Sequence, residues 1–172
     1  QAIPYMINVK DPKTIRILQN EPQLLPQVMD RLMDIILIPA FHNPKLRNTA
    51  INDLSITEIE QMFWEPILLI VQNRKNISLR KVTDLFQNYD QENQNIDKLL
   101  LCIFLRIDSI DPNLLMTFEN EMIDLFARFD KQPLLKFLKS KTHYNTEKAI
   151  ELCSTQEGLY TELIYLWGRI GE

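Results

Sequence analysis

Glycine is almost missing from this chain of 172 residues: the three present, Gly158, Gly168 and Gly171, all lie near its C-terminal end. Loops that cradle phosphate and turns that open dinucleotide-binding folds need glycine where the backbone takes positive φ or approaches a phosphate closely. A nucleophile elbow needs small residues around its strained turn. None of these motifs occurs, so no cofactor site is expected. Cysteine is equally scarce: Cys102 and Cys153 occupy different segments without a C-x-x-C partner, which suits buried thiols in a reducing, cytosolic setting. The two histidines, His42 and His143, have no second ligand at metal spacing and are expected as ordinary loop or cap residues. The longest apolar runs, Ile35–Ile38, Ile67–Val71 and Leu99–Leu105, fall far short of the roughly 20 residues a helix needs to cross a bilayer. A net charge of −4 offers no general attraction for a phosphate backbone, so nucleic acid is not an expected partner.

What the chain does have is helical periodicity punctuated by nine prolines, in a composition that is 45% hydrophobic and can bury a core. Asp11-Pro12 reads as an N-cap with proline at the first helical position, followed by Ile15, Ile17 and Leu18. A helix is expected from Gln23 to Ile38, with Leu25, Val28, Met29, Leu32, Ile35 and Ile36 on one face. Pro39 to Leu54 reads as a connection with one short helix. Ser55 and Glu58 form a capping-box pattern ahead of Ile59, Met62 and Phe63, and Pro66 is expected to break or kink the run before Ile67–Val71. Ser78 caps a helix carrying Val82, Leu85 and Phe86, which gives way to the polar stretch Asn88–Asn95. Ile96, Leu99, Leu100, Ile103, Phe104 and Ile107 fit the helical template throughout. Asp111-Pro112 repeats the cap-plus-proline signal for a long amphipathic helix through Leu115, Phe118, Met122, Leu125, Phe126 and Phe129. Shorter helices are expected over Lys131–Lys139, Thr146–Cys153 and Leu159–Ile170. With neither strand alternation nor hairpin turns, the expected class is all-α, an α-solenoid of stacked antiparallel helix pairs.

The repeat signal is degenerate: Asp11–Leu18 and Asn145–Leu152 share a cap, a lysine and apolar positions. The chain starts without methionine and stops at Gly171-Glu172, which reads as one fragment of a longer solenoid. Acid pairs such as Glu119/Glu121 and Asp108/Asp111 are poorly placed for acid–base catalysis, because helix residues two apart point to different sides and Asp111 serves better as a cap. No nucleophile has a base beside it, so an enzyme is not expected. Aromatics at helical spacing are usually core; of the two tryptophans, Trp64, next to Phe63 and the Pro66 break, is the candidate exposed anchor. Arg128, Lys131, Lys136, Lys139, Lys141 and Lys148 form a basic cluster beside the acidic stretch Asp108, Asp111, Glu119, Glu121 and Asp124. Neighbouring layers of opposite sign can pair across their surfaces, or the cluster can dock an acidic partner or anionic lipid headgroups.

Phe129-Asp130-Lys131-Gln132-Pro133-Leu134-Leu135-Lys136-Phe137-Leu138-Lys139, then Thr142-His143-Tyr144, Glu147–Cys153 and Leu163–Gly171, resemble a clathrin heavy-chain repeat. Within that group they resemble the HOPS-specific subunits of the vacuolar protein sorting class, which join a β-propeller, a clathrin-type solenoid and a RING; the CORVET paralogue of the same architecture is the second choice. Asn76–Val82 also fits and Asp11–Glu21 fits loosely, so the resemblance is best over 77–171, while 22–76 reads as an insertion. It implies a scaffold in a tethering complex at late endosome and vacuole or lysosome membranes. The implied partners are other subunits, with a Rab-type GTPase, coat adaptors or SNAREs reached through the full-length chain. No functional residue is carried over. The alternative is a peptide-binding adaptor with a groove near Phe63, Trp64 and Tyr89.

Overall fold

A computed structural model describes residues 2–47, 49–92 and 96–171. Its fold is all-α, with short 3-10 segments and no strand among the described residues. The chain divides into two compact units, Gln1–Ile103 and Phe104–Glu172.

The first unit opens with α1 (Ala2–Asn8), a helix the sequence pattern did not reveal, and α2 (Lys13–Asn20). Asp11 caps α2 as expected: its Oδ1 accepts the Lys13 N–H at 2.9 Å and its carbonyl accepts the Thr14 hydroxyl at 2.7 Å. The single helix expected from Gln23 to Ile38 does not form. Pro22–Arg31 is 3-10, followed by α3 (Leu32–Ile36) and α4 (Ile38–Phe41). Pro26 removes an N–H donor and its ring crowds the carbonyl four residues back, so the chain tightens, then bends at Val28 (φ −118°, ψ 19°). The apolar stripe survives because each short piece re-aims its own face: Leu25, Leu32, Ile35 and Ile36 have no exposed surface. After 3-10 turns at Pro44–Arg47 and Ile51–Asp53 come α5 (Ile56–Met62) and α6 (Trp64–Gln72). The Ser55–Glu58 capping box is complete, with both reciprocal bonds at 3.1 Å.

Pro66 does not interrupt its helix at its own position. The backbone resets at Phe63 (φ −111°, ψ 22°), three residues earlier, so that Pro66 falls in the first turn of α6, where a missing N–H is harmless. Helix α7 (Leu79–Glu92) runs through the first part of the polar stretch Asn88–Asn95, whose last three residues lie outside the described ones. α2 and α3 pack on α6, and α3 packs on α7, around Phe63, Ile67, Ile70 and Phe86.

Helix α8 (Asp97–Ile110) carries the chain into the second unit, its stripe buried from Ile96 to Ile107 as expected. The long helix expected after Asp111-Pro112 is instead a 3-10 segment, Pro112–Phe118, followed by α9 (Glu119–Phe129). The tighter winding still buries Leu115 and Phe118, and the rings of Phe118 and Phe104 lie 5.6 Å apart. α10 (Leu134–Ser140) starts three residues later than expected, because Lys131-Gln132-Pro133 forms a turn closed by the Leu134 N–H on the Lys131 carbonyl. α11 (Thr146–Ser154) and α12 (Tyr160–Ile170) fall within one residue of expectation. α11 packs between α9 and α12, and α10 touches both of those helices, around Met122, Phe126, Leu138, Cys153 and Leu166.

Candidate interaction surfaces

Trp64 is the first residue of α6, placed by the backbone reset at Phe63, and is 38% exposed. It borders a cleft of about 400 Å³ shared with Ile15, Ile38, Pro39, His42 and Met62, and a second cleft of about 440 Å³ with Thr57, Glu60 and Gln61. His42 donates from Nε2 to the Lys10 carbonyl at 2.6 Å, fixing its ring edge-on to Phe41. That bond holds Lys10 at φ 55°, the left-handed residue that ends α1. Lys10 N–H reaches the Ile7 carbonyl and Asp11 N–H the Met6 carbonyl, a Schellman turn with lysine where glycine is usual.

The groove expected around Phe63, Trp64 and Tyr89 is not assembled. Phe63 is fully buried in the core, and Tyr89 borders a different cavity of about 270 Å³ with Lys10, Phe41 and Ile96. Burial, and then the negative charge of Asp34, raise the Tyr89 phenol above its ordinary value. The tryptophans also exchange rank: Trp167, on α12, is 60% exposed, well beyond Trp64.

The basic cluster separates into engaged and outward members. Lys141 Nζ lies 2.7 Å from Asp108 Oδ1 in a partly buried pair, and Arg128 pairs with Asp124 one turn back at 2.9 Å. Lys131 Nζ donates to the Glu157 carbonyl at 2.8 Å. Lys148 faces Glu151 at 3.8 Å on an exposed stretch of α11. Lys136 is exposed on α10, and Lys139, also exposed, stands 5.9 Å over the Tyr165 ring of α12.

The acid pair Glu119/Glu121 divides by role. Glu119, first residue of α9, is buried, accepts the His143 backbone N–H at 2.8 Å and lies 3.4 Å from His143 Nδ1. Asn120 beside it exchanges two bonds with the Asn145 backbone, at 2.8 and 3.2 Å. Together they clamp the link between α10 and α11. Inside that link the Tyr144 hydroxyl donates to the Leu138 carbonyl at 2.8 Å and receives the Arg169 guanidinium. Burial raises the Tyr144 phenol against the opposing pull of Arg169. Glu119 and His143 thus serve as loop fasteners.

Cys102 and Cys153 are buried, and burial pushes their thiols up to about 12 and about 11. A thiol held protonated this way is a small hydrophobe, as both stripes implied. Among the described residues no group of histidine, cysteine or carboxylate side chains could hold a metal ion, and no helix is long and apolar enough to cross a membrane.

The surface that sequence reasoning missed is the outer face of α12, where Tyr160, Ile164 and Trp167 are 73%, 72% and 60% exposed. Its signal was present: Leu159, Leu163 and Leu166 supply one apolar stripe, so a second on the same helix exceeds what the unit's own core can take.

Helices packed on helices through apolar stripes, with polar groups spent on caps and links, define an all-α helical-repeat protein of the solenoid class. The model of the family described as the Vps41 TPR-like region matches residues 12–172, and the chain belongs to that family. It is 39% identical over its whole length to the vacuolar protein sorting-associated protein 41 of Saccharomyces cerevisiae, of which it spans 17%. It is 31% identical over 60% of its length to the human homologue, spanning 11% of that protein, and 41% identical over 54 residues to the Arabidopsis thaliana homologue. No solved structure matches it. The family expected from residues 77–171 is therefore the family found, and the match runs through 22–76 as well.

Proposed function

We propose that this chain is a non-enzymatic scaffold segment of a HOPS-type tethering complex, acting in vacuolar protein sorting where vesicles and late endosomes fuse with the vacuole or lysosome. The observation that carries the reading is the family match over residues 12–172 on a fold whose interior is mostly apolar. Physically, each helix pair buries its apolar face only against a neighbour, so stacking produces an extended surface for other proteins. The chain makes up 17% of its yeast relative, so the partners of the whole protein, other complex subunits first and a Rab-type GTPase, coat adaptors or SNAREs beyond them, belong to this proposal. So does peripheral attachment to late endosome and vacuole membranes through the complex. Lys136 and Lys139 are the basic residues offered outward for such docking; Lys131 and Lys141 support the fold through Glu157 and Asp108.

The test is assembly. The full-length protein lacking residues 77–171 is compared with the intact one by size-exclusion with its complex subunits. Loss of co-elution while the remaining chain stays folded supports the scaffold; normal assembly overturns it.

A second reading, a short-peptide site, is favoured by the Trp64 cleft alone. Residues 22–76 contribute most of its lining, which would give that stretch a role of its own. A saturable change in Trp64 fluorescence on peptide titration supports it, and an unresponsive Trp64 removes it.

A further inference from the structure

Two clefts meet at Trp64 and Gln61, which line both of them. The first, about 400 Å³, falls within the roughly 300–1,000 Å³ of ordinary ligand pockets, and Pro12, Ile15, Ile38, Pro39 and Met62 give it apolar walls beside the indole. The second is polar, its other lining residues being Thr57 and Glu60. The walls are braced before anything binds: His42 is tied to the Lys10 carbonyl, and Gln19 Nε2 on α2 donates to the Glu65 carbonyl on α6 at 3.4 Å. Helix ends build these walls. Pro12 precedes α2, His42 follows α4, Met62 ends α5 and Trp64 opens α6. Solenoid layers cover one another along the sides of their helices, so a cleft among helix ends lies off the stacking contact.

The acids of the two linings are Glu65 and Glu60, and among the described residues neither lining contains a lysine or arginine. Glu65 is exposed and Glu60 half-buried, so both carboxylates are within reach of a partner. An apolar hollow bordered by negative charge favours a cation at its rim and repels an anion. Gln61, exposed where the clefts meet, offers both a donor and an acceptor, the pair that a peptide group needs. Indole and proline walls suit a proline ring, and a polyproline II segment leaves its backbone carbonyls outward for Gln61.

We infer that the Trp64 clefts receive a short extended segment of a partner protein, with a proline seated in the first cleft and a lysine or arginine set against Glu60 and Glu65. One polyproline II turn, about three residues, separates the proline from the basic residue, which places both on one face of the segment. A helix, about 10–12 Å across, is too wide to enter a hollow of about 400 Å³. The inference names the chemistry of the occupant for the short-peptide reading of this same site, and it rests on that reading.

The test uses the 172-residue chain with Trp167→Phe, leaving Trp64 as the sole tryptophan, titrated with three blocked peptides. Two are proline-rich and differ in one residue, arginine or glutamate; the third is a leucine-faced helix bearing the same arginine. A saturable change in Trp64 emission is expected with the proline-rich arginine peptide, and at least tenfold weaker binding of the other two. Glu60→Gln with Glu65→Gln should weaken the arginine peptide at least tenfold at unchanged helicity. Equal binding of the arginine and glutamate peptides, or undiminished binding by the double variant, overturns the basic partner while the short-peptide reading stands. Equal or tighter binding of the helix overturns the extended segment. No response to any of the three removes the short-peptide reading and this inference with it. The labelled arginine peptide is also offered to the full-length protein and followed by anisotropy. Binding as tight as to the 172-residue chain, lost in Trp64→Ala, supports an outside partner; no binding assigns the clefts to another segment of the same chain and overturns it.

Discussion

The two units solve the same problem, ending short helices and starting new ones, with different means. In Gln1–Ile103 the chain restarts through prolines, 3-10 turns and bends at Val28, Arg31, Leu37 and Phe63, and among the described residues its left-handed one is a lysine held by a histidine. In Phe104–Glu172 the links after α9 are short and fastened by side chains, Glu119 and Asn120 above all, and the left-handed residue is Gly158 at φ 82°. Regular stacking follows from cheap links. Where a link is strained or proline-bound, helices shorten and clefts such as the one beside Trp64 remain between them.

The largest effect that can break this comparison comes from the cores. Phe126→Ala and Phe63→Ala should each cost about 3–5 kcal/mol, both side chains being essentially fully buried. Each unit contains one buried cysteine, so thiol labelling in denaturant reports on both. Cys153 should label first in Phe126→Ala and Cys102 first in Phe63→Ala. Simultaneous labelling in both variants would merge the units into one cooperative block.

The link fastener comes next. Glu119→Ala strips the acceptor from the partly buried His143 N–H and should cost about 1–3 kcal/mol, with amide exchange accelerating at His143 and Asn145. Unchanged exchange there would show that the Asn120 bonds suffice.

The two left-handed residues should respond with opposite sign. Gly158→Ala places a Cβ at positive φ and should destabilise by about 1–2 kcal/mol, while Lys10→Gly relieves the same strain and should stabilise by about 1 kcal/mol, both read from chemical denaturation. A loss of stability in Lys10→Gly would mean that the lysine's place over the Phe41 ring, 5.4 Å away, outweighs the backbone cost.

The smallest effect is the α5 cap. Ser55→Ala should cost about 1 kcal/mol. The Ser55 backbone N–H and hydroxyl hold the Glu58 carboxyl below its ordinary value, so as pH falls the unfolded chain takes up this proton first. The cap's contribution is complete above the usual carboxylate range and fades as pH drops through the native value. A melting point equally acid-sensitive in Glu58→Gln would assign that loss to other carboxylates.

Much of this was written in the residues themselves. The cap at Ser55–Glu58, the stripe from Ile96 to Ile107 and the starts of α11 and α12 depend on neighbours within a few positions, which a sequence displays directly. The break-up of Gln23–Ile38 was hidden because periodicity tells which side chains face inward and is silent on whether one helix or three present them. Trp64 and Trp167 looked alike for a similar reason. Helical spacing places an aromatic on a stripe, and only the neighbouring helices decide whether that stripe is covered.

By itself the sequence determined the class and the family: scarce glycine and repeated 3.6-residue stripes leave only helices to pack, and the residues of 77–171 carry the family's pattern. The tertiary structure decided which charges remain for partners. Lys131 and Lys141 are drawn to Glu157 and Asp108, while Lys136 and Lys139 stay outward beside an apolar face. Those choices depend on residues more than twenty positions apart meeting in space, and charge order along a chain does not encode that meeting.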